Sequence, residues 1–148
     1  MGESQTRCDL VGLTLDSWKN RKGFRDMIVG KANEGCPIRL LQMHHENPML
    51  QDFAIGPRGH EYVAPLAKLT AEYFAELARD TPHLEFRVLR RGCPHFRIVL
   101  TDQLAFMSPY LYGDGGSPLL RAQKQSRLYE QVCAEFDVLW ALGESTGP

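Results

Sequence analysis

The chain has 148 residues, of which 43% are hydrophobic and 24% charged, the balance of one ordinary globular domain and not of a disordered chain. Its formal net charge of -1 supplies no global basic field for nucleic acid, so such binding needs a local patch. No apolar run reaches the ~18 residues of a membrane span, and the polar stretch Met1–Arg7 reads as no signal peptide.

Cys8–Leu15 is a short apolar run of the kind expected for a buried strand. Asp16-Ser17 follows as a cap signal. Phe24, Met27, Ile28 and Ala32 recur at helical spacing, and Gly35 stands where that helix stops. Ile38–Met43 is a second strand, so strand, helix and strand together argue a right-handed parallel βαβ unit. His44–Gly59 is loop, with a short helical turn at Pro48–Phe53. From about Glu61 to Arg79 a helix places Val63, Leu66, Ala67, Thr70, Phe74 and Leu77 on one stripe. Pro65 fits its first turn, and Asp80-Thr81-Pro82 ends it.

Leu84–Leu89 alternates as a half-buried strand. Phe96–Leu100 and Leu104–Met107 flank Thr101-Asp102-Gln103 as a tight antiparallel hairpin. Tyr110–Gly116 is a Gly-rich loop and Ser117–Arg121 a short edge strand. Leu128, Tyr129, Val132, Phe136, Leu139 and Trp140 define an amphipathic last helix that starts near Ser126. The expected fold is an α/β domain over residues 8–142, with a mixed parallel and antiparallel sheet and helices on both faces. Residues 1–7 and 143–148 are expected to be flexible termini.

The four cysteines are Cys8, Cys36, Cys93 and Cys133. None forms a C-x2-C pair, which disfavours a zinc site made of cysteines alone. All four read as reduced thiols in a cytoplasmic protein.

The run His95-Phe96-Arg97-Ile98-Val99-Leu100-Thr101-Asp102 carries the most specific chemistry. On a strand His95 and Arg97 point the same way, about 6.6 Å apart at ~3.3 Å per residue. An imidazole beside a guanidinium suits a phosphate: the cation neutralises charge and the imidazole attacks phosphorus or moves a proton. The segment resembles the His-x-Lys-x4-Asp hairpin of the phospholipase D superfamily, with Arg97 in the Lys place. Leu104–Met107 matches that family's apolar strand, Ser108-Pro109 stands where its Gly-Ser would be, and 35–41 is similar to its Gly-Val-x-Val-Arg-Ile-Leu strand. The likeness runs roughly from Asp9 to Trp140.

The resemblance implies a phosphodiesterase or nuclease acting without metal or organic cofactor. His95 would be nucleophile or general acid, Arg97 the phosphate clamp and Asp102 the supporting carboxylate. It also implies a homodimer that completes one cleft from two motifs, and a phosphate-containing ligand or nucleic acid as partner. Arg for Lys changes a point charge into a planar fork, and Pro109 removes a backbone N–H. Met107–Gly113 further resembles small bacterial phospholipase D-like domains, some fused to helix-turn-helix regulators. That likeness implies the alternative function: a non-catalytic ligand-sensing or protein-interaction module with the same fold.

Other candidate contacts are Ser108, Tyr110, His44 and Asp16 as ligand-binding residues. His44-His45-Glu46 follows the second strand, at the strand end where ligands gather in open α/β sheets. Adjacent histidines on extended chain diverge, which disfavours one shared metal ion. Asp16-Ser17-Trp18 reads first as a helix cap with a core Trp. Tyr110 and Tyr112 both face one pocket or both serve packing. Arg87, Arg90, Arg91 and Arg97 form a local basic cluster whose common fate is a solvated surface.

Overall fold

The structure, a computed structural model, describes residues 6–54, 63–111 and 117–146. Its elements in chain order are β1 (Cys8–Gly12), α1 (Asp16–Lys19), α2 (Phe24–Asn33), β2 (Ile38–Met43), a 3-10 segment (Pro48–Ala54), α3 (Val63–Asp80), β3 (Leu84–Leu89), β4 (Phe96–Thr101), β5 (Leu104–Pro109), β6 (Leu120–Gln123), α4 (Arg127–Leu142) and β7 (Glu144–Ser145). Among the described residues one sheet holds seven strands in the order β6-β5-β4-β1-β2-β3-β7. β1, β2 and β3 run parallel, while β4 lies antiparallel against β1 and continues into the antiparallel β5 and β6. The expected mixed sheet is therefore present.

Two apolar layers flank it. Leu10, Ile38, Leu40, Phe86 and Val88 point to one face, where Phe24, Ile28 and Ala32 of α2 and Phe74 and Leu77 of α3 cover them. Val11, Leu41, Leu89, Ile98 and Leu100 point to the other, against Val132, Phe136, Leu139 and Trp140 of α4. Strand alternation and helical stripes of this kind leave each element one way to face. α2 ends at Gly35, whose φ of 94° suits glycine. There the Gly35 and Cys36 amides return to the Ala32 and Lys31 carbonyls at 2.9 and 3.1 Å, closing the helix end. α4 starts as its sequence implies, with the Ser126 hydroxyl accepting from the Tyr129 amide at 3.1 Å.

Several boundaries differ from the sequence reading. β1 ends at Gly12 and not at Leu15, because the Leu15 amide is taken by the Gln42 side chain at 3.1 Å instead of a strand partner. α1 begins after Leu15 with no side-chain cap, so Asp16 lies inside the first turn and is not the cap. The short helical turn expected at 48–53 is present as the 3-10 segment Pro48–Ala54, whereas β6 starts at Leu120, later than the expected 117. The terminal stretches also carry order: Thr6 and Arg7 hydrogen-bond to Asp102 and Asp9, and Glu144–Ser145 pair with β3. The start expected for α3 at Glu61, and most of the loop 110–116 with Tyr112, lie outside the described residues. Among the described residues no helix is long and apolar enough to cross a membrane.

Candidate functional site

The ends of the sheet differ in chemistry. At the carboxyl ends of β1, β2 and β3 a chain of hydrogen bonds crosses from the antiparallel half to the parallel half. The Tyr110 hydroxyl accepts from the Leu13 amide at 3.0 Å. The Leu13 carbonyl accepts from the Met43 amide at 3.2 Å, and the His44 amide donates to the Leu89 carbonyl at 2.9 Å. This rim is where ligands bind in open α/β sheets. The Tyr110 amide also donates to the His95 carbonyl at 3.1 Å, which fixes the start of β4 beside the end of β5. A Cβ on Gly12 would stand 2.9 Å from the Thr14 backbone carbonyl, so the turn that follows β1 requires glycine there, while the Tyr110 hydroxyl at 3.4 Å would be in ordinary contact.

Tyr110 is held mostly out of water. Burial pushes its phenol up from the ordinary value, against the Leu13 amide and the Arg97 guanidinium that hydrogen-bonds to it. Arg97 itself is exposed and lies opposite Ser108 in the β4–β5 ladder. The Ser108 hydroxyl donates to the Pro118 carbonyl at 2.9 Å, so it fixes the approach to β6. His95 is exposed just before β4.

His44 is 9% exposed. Its Nδ1 accepts from the Glu46 amide at 3.0 Å, and its ring stacks on His45 with centroids 4.2 Å apart. Burial lowers its pKa first, then the Arg90 and His45 charges, so the neutral ring is favoured. Ligand atoms of His44, His45 and Glu46 lie within 4.8 Å of one another. With Nδ1 accepting, the neutral ring carries its proton on Nε2, and ligation by either nitrogen would cost His44 the bond to Glu46. The arrangement is that of a loop clamp. The Asp16 carboxylate accepts from the Asn20 side chain at 3.2 Å, one turn along α1.

Asp102 is not part of the rim. It lies just past β4, at the opposite end of the strands, about 23 Å from His95 at ~3.3 Å per residue. There it accepts from the Thr6 amide at 2.7 Å and the Thr6 hydroxyl at 2.5 Å. Burial pushes the Asp102 carboxyl up, but the Thr6 and Arg7 donors and Lys124 outweigh it and hold the carboxyl below the usual range. The motif is continuous in sequence and split in space, because its seven steps run along one extended strand.

Two residues that sequence reasoning missed build the rim. Gln42 is fully buried; its Oε1 accepts from the Leu15 amide at 3.1 Å and the Thr70 hydroxyl at 2.7 Å, and its Nε2 donates to the Ala67 carbonyl at 2.7 Å. Asn47 donates to the Leu89 and Gly92 carbonyls, each at 2.9 Å, and accepts from the Met49 amide at 2.9 Å. A polar residue inside the apolar run Ile38–Met43 was the one signal for Gln42, since a buried amide needs partners.

No protein-family model matches the sequence, and neither does any curated protein. Among solved structures the chain is similar to TrmBL2, described as an archaeal chromatin protein with a novel mode of DNA binding, with a TM-score of 0.61 and 16% identity. The match covers 97% of this chain and 47% of that one, so the chain spans about half the length of TrmBL2. At this identity the likeness is one of fold. The DNA-binding protein as fold neighbour corrects the expectation from resemblance. The chain is not identified as a phospholipase D-like protein, and the phosphodiesterase, hydrolase and degenerate-motif readings fall with it. Element order misled because it belongs to the fold and not to one chemistry.

Proposed function

We propose that this chain is a non-catalytic ligand-sensing or interaction module whose contact surface is the carboxyl rim of the sheet, and that it serves a nucleic-acid-associated protein of the cytoplasm. The observation that carries the reading is the split of His95 from Asp102. An imidazole nucleophile or base needs its orienting carboxylate within hydrogen-bond reach, and here the carboxylate is spent on Thr6 at the other end of the strands. What remains at the rim is binding chemistry: an exposed guanidinium at Arg97, the Tyr110 hydroxyl and the clamped His44. The fold neighbour supports a setting near DNA, and its greater length supports a module that works with other segments.

Nucleic-acid contact by this chain itself would rest on Arg91 and Arg97, since Arg90 is paired with Glu144 at 2.9 Å. The half-site argument for a homodimer falls with the motif. Two-fold pairing is proposed instead through the edge strand β6, which is paired on one side and exposes Leu120 at 43%. Light scattering tests that pairing.

The central experiment is a thermal-shift screen of small polar ligands, and of DNA by fluorescence anisotropy over a salt series, with wild type, Arg97→Glu and His95→Ala. Binding that Arg97→Glu removes and His95→Ala only weakens is expected. Turnover of any bound ligand, lost in His95→Ala, would overturn the non-catalytic reading.

A further inference from the structure

The end of the sheet opposite the rim holds a cleft of ≈ 790 Å³ between the amino ends of the parallel strands and α4, lined by Arg7, Asp9, Arg39, Asp102, Lys124 and Asp137 among others. We propose that this cleft is a receptor for the carboxylate of a small organic acid, with Asp137 as its built-in, exchangeable occupant.

The site starts from a buried charge. Asp9 is 1% exposed, and such a carboxylate must be paired. Arg39 meets it through two nitrogens, Nε and Nη2, each at 2.8 Å, and Arg7 Nε meets it at 2.5 Å. Arg39 is fixed further by Phe136 and Trp140, whose ring centres lie 4.9 and 5.5 Å from its guanidinium carbon. One buried carboxylate thus holds two guanidinium groups in place and neutralises one of them.

The second positive charge is met from the solvent side. Arg7 Nη2 and Arg39 Nη2 both reach Asp137, at 2.7 and 3.2 Å, and both reach the same oxygen, Oδ1. Asp137 stands on α4 with its side chain 54% exposed. An ion pair open to solvent on its Asp137 side is weak, so it can be displaced. A free carboxylate can offer both oxygens to the two forks where Asp137 offers one, and guanidinium groups favour two-point contact with carboxylates. The arginines are already positioned by Asp9 and the rings, so a ligand meets little ordering cost. Lys124 adds a third cation along the cleft.

Titration calorimetry with succinate tests this on wild type, Asp137→Ala and the double variant Asp137→Ala/Arg7→Gln. Arg39 still pairs Asp9 in all three, and circular dichroism checks their fold. Weak binding is expected in wild type, about tenfold tighter binding in Asp137→Ala, near 1.4 kcal/mol, and a return to the wild-type level or below in the double variant. In wild type, succinate should also shift the Asp137 carboxyl resonance and leave Tyr110 unmoved, a readout that needs no variant to fold. Equal affinity of wild type and Asp137→Ala, indifference to Arg7→Gln, or a succinate shift at Tyr110 in place of Asp137 would each overturn the proposal. The cleft and the rim lie at opposite ends of the strands, so either reading can fail without the other.

Discussion

The Tyr110 hydroxyl receives the Leu13 amide hydrogen at 3.0 Å, and this bond ties the end of the antiparallel hairpin to the carboxyl end of β1. Leu13 has left the β1–β4 ladder, whose pairs run from Cys8 to Val11, so its amide depends on a side chain. Tyr110→Phe removes the acceptor and strands the amide in a part-buried place. A loss of about 1–3 kcal/mol is expected, read as a lower denaturation midpoint at unchanged slope. The same variant should weaken any rim ligand, and Ser108→Ala should do so less.

Gln42 is a sharper test of the rim's foundations. Gln42→Leu keeps the volume, leaves the Leu15 amide without its acceptor, and takes one donor from the Ala67 carbonyl, which keeps the Thr70 hydroxyl at 3.2 Å. A destabilisation of about 2–3 kcal/mol is expected, against under ~0.5 kcal/mol for His95→Ala on the open surface. Equal costs for the two would mean that the buried amide network holds nothing together.

Asp102 predicts an acid limb. Its folded carboxyl sits below the ordinary range, so its stabilising contribution is present above the unfolded pKa of ~3.9 and is lost as pH falls through the folded value. Asp102→Asn should cost stability at neutral pH and flatten the fall below pH ~4. Urea melts at several pH values measure this, and an unchanged acid slope would count against the Thr6 contacts.

His44 acts in a different window. Its folded pKa is lowered, so on acidification the unfolded chain takes up a proton first, near ~6.5, and the folded state loses stability from there down to the folded value. His44→Asn keeps an acceptor for the Glu46 amide and removes the titration. Stability that no longer falls between neutral pH and the folded value is the expected result, from the same melts carried across that range.

Much of the fold was legible in the sequence because it rests on local patterns. The run Ile38–Met43 and the alternation Leu84–Leu89 gave both strands to the residue, and Ser126 marked the start of α4 through a contact three residues away. Gly35 marked the end of α2 in the same way. These signals need only neighbours along the chain, which sequence supplies. The site was less legible. Placing His95 beside Arg97 is a statement about alternation and needs no tertiary structure, but joining them to Asp102 required two distant points on one strand to meet. An extended strand cannot bring them together. Whether Asp102 served His95 or Thr6 was decided by which end of the sheet each end of β4 reached. Burial of Asp9 between two arginines, and the bond from Tyr110 to Leu13, join residues separated by 30 and 97 positions. Such pairs are fixed by strand order and by the packing of α4, and no periodicity within one segment encodes them.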